Sequence, residues 1–321
     1  MLSRVADGLY WMARYSERTE NNAHILQVQL LNMLEQSGKD NEYIDHWEAV
    51  LDICASKEEY ASYNDHIRVN PLIDYLLFSE TNSNALLTTL YAVRENARIS
   101  RDSIPIELWE LQNAFYLYLQ QEITDREKPF PLMSLNYFLQ NVRKTSMTVT
   151  GLIEGSMDRD LPFYLIQVGK WLERAEKTIR IALITLEHQQ QLNVSLQEAD
   201  GAFLLDLSRA TESYLRKHRQ TNLTGVTHYL LHDEHFPRSV AFCLKKIEEA
   251  LMNIEKDHLS IRFLELNNPL KALLFAIMKF DLLTITIEEA ILSMEERLFQ
   301  CVDLSRAFET IYHLYEPIEQ H

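Results

Sequence analysis

Trp11-Met-Ala-Arg-Tyr-Ser-Glu-Arg-Thr-Glu20 and Gln167-Val-Gly-Lys-Trp-Leu-Glu-Arg-Ala-Glu176 carry one pattern twice, nearly half a chain apart: basic, aromatic, any residue, Glu-Arg, small, Glu. Around the first copy, Leu2, Val5, Leu9, Met12, Ser16, Thr19, Ala23, Leu26 and Leu30 recur every three or four residues. Around the second, Leu165, Val168, Leu172, Ala175, Ile179, Ala182 and Leu186 do the same. That spacing is the period of a helix, so both copies are expected on helices of several turns. Glu20 falls at the edge of the apolar stripe, about 40° from Ser16, and Glu17 on its flank. The opposite side carries Trp11 and Ile25 in the first copy and Ile166 and Ile181 in the second. Each segment is therefore apolar nearly all round, which predicts a central helix holding buried charges.

The correspondence runs past the motif. A shift of 156 carries Leu9, Met12, Tyr15, Glu17, Arg18 and Glu20 onto Leu165, Val168, Trp171, Glu173, Arg174 and Glu176. A shift of 154 carries Leu51-Asp52 onto Leu205-Asp206, Tyr60 onto Tyr214 and Tyr75-Leu-Leu77 onto Tyr229-Leu-Leu231. Two registers so close over so long a span predict two related halves, 1–155 and 156–321, breaking near the turn-rich stretch 151–162 and packed as one compact unit.

Composition narrows the architecture. Only 7 glycines and 8 prolines occur in 321 residues, too few for the turns of a many-stranded sheet. Further helices are expected over 46–53, 72–78, 85–100, 106–121, 132–154, 201–217, 226–231, 239–264, 270–280, 284–299 and 305–315, and no segment alternates with period two. The fold expected is all-α, a multi-helix bundle of two pseudo-repeated halves.

The formal charge of −16 repels polyanions, which argues against a nucleic-acid partner. Arg4, Asp7, Arg14 and Glu17 interrupt the N-terminal region, against a secretory signal, and charges break the apolar stretch 270–294, against a membrane span. Cys54, Cys243 and Cys301 are odd in number and in apolar surroundings, the pattern of reduced thiols, so a cytoplasmic location is expected.

The chemistry-bearing candidates begin with the Glu-Arg pairs. A carboxylate facing a core needs a donor, and arginines on neighbouring helices supply bidentate ones. Arg94, Arg98 and Arg101, in the polar run Arg94-Glu-Asn-Ala-Arg-Ile-Ser-Arg-Asp102, are the expected donors in the first half, with Arg216, Arg219 and Arg238 in the second. Two readings stand side by side: buried ion-pair networks that fix packing, or a Glu/Arg-lined cleft for an anionic or amide-bearing ligand. His228, His232 and His235 have spacing suited to a metal, but their first-half counterparts are Asp74, Phe78 and Thr81, so a metal is a weak candidate and no cofactor is expected. No Gly-rich phosphate loop, serine elbow or His-Glu-x-x-His occurs.

The opening block Met1-Leu-Ser-Arg-Val-Ala-Asp-Gly-Leu-Tyr-Trp-Met-Ala-Arg-Tyr-Ser-Glu-Arg-Thr-Glu-Asn21 resembles the start of the bacterial alpha-E proteins, helical proteins named for a Glu-Arg motif. Arg94 to Asp102, Lys170-Trp-Leu-Glu-Arg-Ala-Glu176 and Phe236-Pro-Arg-Ser-Val-Ala-Phe242 resemble the same family. The chain departs from it at Leu161-Pro-Phe-Tyr164 and at Lys170-Trp171. The resemblance assigns motif positions to Arg14, Glu17, Arg18, Glu20 and Asn21, to Arg94, Glu95, Asn96, Arg98, Arg101 and Asp102, to Glu173, Arg174 and Glu176, and to Pro237, Arg238 and Ser239. It also implies a setting, because such proteins are typically encoded with a circularly permuted ATP-grasp amide ligase and a transglutaminase-like peptidase. That implies an accessory or substrate-presenting component in the making or modification of peptides. The alternative is an enzyme of the same pathway, with Glu17, Glu20, Glu173 or Glu176 as acid or base.

Overall fold

The computed structural model describes residues 3–35, 42–64, 66–125, 131–192, 199–256 and 260–312. Among them the chain is helical throughout, with a single isolated bridge between Asp200 and Asn222 and no strand. The first seven α-helices are α1 (Ser3–Glu35), α2 (Glu42–Ile53), α3 (Lys57–Tyr63), α4 (Val69–Phe78), α5 (Leu86–Ile99), α6 (Ile106–Asp125) and α7 (Leu132–Ser156). The next seven are α8 (Leu161–Gln191), α9 (Ala202–Leu207), α10 (Thr211–Leu215), α11 (Leu223–His232), α12 (Val240–Ile254), α13 (Ile261–Met278) and α14 (Ile287–Ile311). The described residues fall into two compact units, one spanning Met12–Asp158 and the other combining Met1–Trp11 with Arg159–His321.

In the second of these units α8 is the central element. Asp160 caps it by accepting from the Phe163 amide, and Pro162 sits in its first turn, where no amide hydrogen is needed. It then buries residues on nearly every face, including Phe163, Leu165, Val168, Leu172, Ile179 and Leu186, against α12 and α14. α12 offers a strongly one-sided face of Val240, Cys243, Leu244, Ile247 and Leu251, started by a Ser239 cap on the Phe242 amide. α14 opens with a reciprocal capping box between Thr286 and Glu289. In the Met12–Asp158 unit, α5 packs on α4 and α6, and α6 on α7. Cys54, Cys243 and Cys301 are buried free thiols.

Several boundaries differ from the periodicity reading. The segment 201–217 divides into α9 and α10 because Arg209 takes a left-handed conformation (φ 54°), which no helix continues through. The segment 239–264 ends at Ile254 and restarts behind the Ser260 cap. α13 runs through Pro269 rather than starting after it, and the two last segments join into α14. The end of the expected 305–315 helix lies outside the described residues. Among the described residues no helix is long and apolar enough to cross a membrane.

Candidate functional site

The Glu-Arg carboxylates turn inward. Glu17, Glu20 and Glu173 are only 4%, 6% and 2% exposed, and Arg14 and Asn21 beside them are 4% exposed each. Glu17 accepts from the Asn21 side-chain amide one turn on (3.2 Å). Glu176 is less withdrawn and meets Arg180 on its own helix at 3.3 Å.

The arginines of the pair do something the sequence did not announce: each fastens the turn that leads into another helix. Arg18 lies over the Tyr15 ring (5.5 Å) and donates to the side-chain oxygen of Asn84 at 3.1 Å, just ahead of α5. Arg174 lies over the Trp171 ring (4.7 Å) and donates to the Pro237 carbonyl at 3.3 Å, just ahead of α12. Four residues further along each helix a second donor follows, Asn22 to the Asn84 carbonyl (3.2 Å) and Thr178 to the Arg238 carbonyl (2.9 Å). The aromatic three residues before each arginine thus has a physical reason: its face shields a guanidinium that must reach outward to a loop.

Arg94, Arg98 and Arg101 are placed otherwise than as donors to those carboxylates. Arg94 and Arg98 both converge on Glu95 of their own helix, at 2.6 and 2.9 Å. Arg94 also donates to Asn113 (2.7 Å) and lies against the rings of Trp109 (5.9 Å) and Tyr116 (5.3 Å). Burial pushes the Tyr116 hydroxyl above its usual range although Arg94 opposes it. Asn96 donates to the Ala92 carbonyl, so its amide supports the helix (2.8 Å). Arg101 and Asp102 meet only loosely at 4.0 Å on the surface, as do Arg216 and Glu212 at 3.9 Å. Trp109, Asn113 and Tyr116 were not foreseen, since nothing in their spacing links them to a charge on α5.

The histidines gather on α11. His228 and His232 stack with ring centroids 4.2 Å apart. The Nδ1 and Nε2 of His232 lie 3.0 and 2.8 Å from the carbonyl oxygens of His228 and Ile277, so both nitrogens face backbone rather than a metal. His235 is exposed, and its amide donates to Asp233. Although burial opposes it, Lys217 and the amides of His235 and Phe236 hold the Asp233 carboxyl below the usual range. Among the described residues no group of three or more His, Cys, Asp or Glu is placed to hold a metal ion.

Comparison with known proteins adds one family and two relatives. The model of the Alpha-E family, a predicted alpha-helical domain with a conserved ER motif, matches residues 1–312. Uncharacterized proteins of Mycobacterium bovis and Mycobacterium tuberculosis are each 22% identical over 275 residues, covering 78% of this chain and 30% of theirs. The chain therefore spans about 30% of the length of these curated relatives. No solved structure matches at a significant level.

Proposed function

The chain belongs to the Alpha-E family, and from that premise we propose that it is an accessory or substrate-presenting component of an ATP-grasp-linked system that makes or modifies peptides. Its partners in this reading are a circularly permuted ATP-grasp ligase and a transglutaminase-like peptidase. The observation that carries the non-catalytic role is the withdrawal of Glu17, Glu20 and Glu173 to a few per cent exposure while Arg18 and Arg174 clamp neighbouring turns. An acid or base for a diffusing substrate has to be reachable, whereas carboxylates held this deep fix helix positions. In the two mycobacterial relatives the matching segment is a minor part of a much longer chain, which suits a module that works beside other domains.

We also infer that the scaffold arose by duplication, with halves near 1–155 and 156–321. A displacement of 154 residues takes α4 (69–78) onto α11 (223–232), and 155 takes the start and end of α7 (132–156) onto those of α14 (287–311). The left-handed residues Ala55 and Arg209 are likewise 154 apart, and the Arg18 and Arg174 clamps 156 apart.

Co-expression with a circularly permuted ATP-grasp ligase from the same genome tests the function. A complex that survives size-exclusion chromatography, together with a changed ligase rate, is expected. A ligase that runs at its own rate and never co-elutes would overturn the proposal. Loss of pathway activity in Glu20→Ala with unchanged thermal stability would favour the enzyme reading instead.

A further inference from the structure

A cleft of about 380 Å³ opens along one face of α11, opposite the turn 280–283 that follows α13. His228 and His232 line one side, Phe280, Leu282 and Leu283 the other, and Asp281 sits among them. This is the size and make-up of a small-molecule site: mostly apolar walls with a few converging polar groups. The histidines divide the work. His232 is committed to the scaffold through the carbonyls of His228 and Ile277. His228 lines the cleft with part of its ring still open to solvent, and its ring nitrogens make no hydrogen bond within the described residues. The partial desolvation of the ring at the cleft wall, and next the adjacent His232, hold His228 below the usual histidine range, with His218 acting the same way and Asp281 pulling against them. At neutral pH it therefore presents a lone pair, which is an acceptor.

Asp281 supplies the charge. One carboxylate oxygen accepts from the Leu283 amide at 2.9 Å, and no cationic side chain pairs with the group among the described residues. The cleft thus offers two acceptors, one of them anionic, beside an apolar wall, on a protein whose net charge of −16 draws cations toward its surface.

We propose that this cleft binds a small organic ammonium compound with an apolar body, its N–H groups shared between the Asp281 carboxylate and the His228 ring and its body lying against Phe280, Leu282 and Leu283. The site stands apart from any ligase partnership, so either idea can fail without the other.

Titration of the full chain with 2-phenylethylamine, 2-phenylethanol and 3-phenylpropionate, read by calorimetry or by histidine NMR signals, tests it. Saturable binding of the amine is expected, with the alcohol and the acid weaker by about tenfold or more. Asp281→Asn keeps an oxygen for the Leu283 amide and should weaken the amine by about tenfold. Acidification to below the usual histidine range should weaken it too, as His228 gains a proton beside His232 and His218 and Asp281 offsets only part of the added charge. Equal or tighter binding of the acid, no binding of any probe to the folded chain, or an unchanged affinity in Asp281→Asn would each overturn the proposal.

Discussion

The turn that closes α2 and the turn that closes α9 are the same object built from different residues. In the first, the Ser56 amide bonds the Leu51 carbonyl (2.9 Å) and the Ala55 amide the Asp52 carbonyl (3.0 Å). In the second, Ala210 bonds Leu205 (2.8 Å) and Arg209 bonds Asp206 (3.1 Å). Both are Schellman closures with a non-glycine residue in the left-handed position. Beyond each turn an edge-to-face tyrosine pair follows, Tyr60 with Tyr75 and Tyr214 with Tyr229, at 5.1 and 5.3 Å. Where backbone and buried rings agree this closely, the constraint is folding. Where they part company, chemistry is free to differ: among the described residues the Arg94–Glu95–Arg98 cluster lies in the first region and the His228–Asp281 cleft in the second.

The widest test of this division uses the first carboxylate of each Glu-Arg motif. Glu17→Ala and Glu173→Ala should each destabilise by about 3 kcal/mol, because the groups each carboxylate holds are left buried without it. Hydrogen exchange should locate the loss in the Met12–Asp158 unit for the first variant and in the other unit for the second. Unchanged protection in either would mean that the two motifs do not share a role.

The long helices were legible because apolar residues at helical spacing need nothing beyond the local sequence to be seen. The inward turn of Glu17, Glu20 and Glu173 could be read the same way, from their position on or beside the apolar stripe. What could not be read was partnership across the chain. Arg94 finds Asn113, Trp109 and Tyr116 on another helix, and neither spacing nor composition couples them. The break at Arg209 was hidden for a different reason: glycine would have flagged a left-handed residue, and arginine does not. Pro269 misled in the other direction, since a proline that reads as a helix start lies inside α13. In the sequence Asp281 is one charge interrupting the apolar stretch 270–294, and its neighbourhood to His228 depends on how α13 ends against α11.

Under the proposed duplication the match lapses near the start of α1, which yields a smaller and pH-dependent effect. A shift of 156 sets Asp7 against Phe163 in α8, a buried ring. Burial, and then the charge of Glu309, push Asp7 up from 3.8 to about 6, while a hydrogen bond from Trp11 opposes the shift. The folded chain then holds the proton more tightly than the unfolded one. The resulting stabilisation is complete below the unfolded value and is lost as pH rises through about 6. Asp7→Asn should flatten this part of the stability profile and raise stability at neutral pH by about 1 kcal/mol, the side chain's partial exposure to solvent having reduced the full effect. A variant with the parent's slope between those pH values would remove Asp7 as the cause.

The smallest effect returns to the paired turns. A left-handed residue with a Cβ costs about 1 kcal/mol relative to glycine, part of which is offset by the freedom glycine gains in the unfolded chain. Ala55→Gly should therefore stabilise by about 0.5 kcal/mol. Arg209→Gly should gain less, because a long side chain with an interaction of its own is removed along with the strain. Denaturant midpoints at matched slope measure both. If Ala55→Gly destabilised the chain, the left-handed turn would not be under the strain assigned to it, and the likeness between the two closures would reduce to their hydrogen bonds. If both variants gained by a similar amount, the side chain at 209 would be idle and the two turns energetically interchangeable, a closer identity than their sequences suggest.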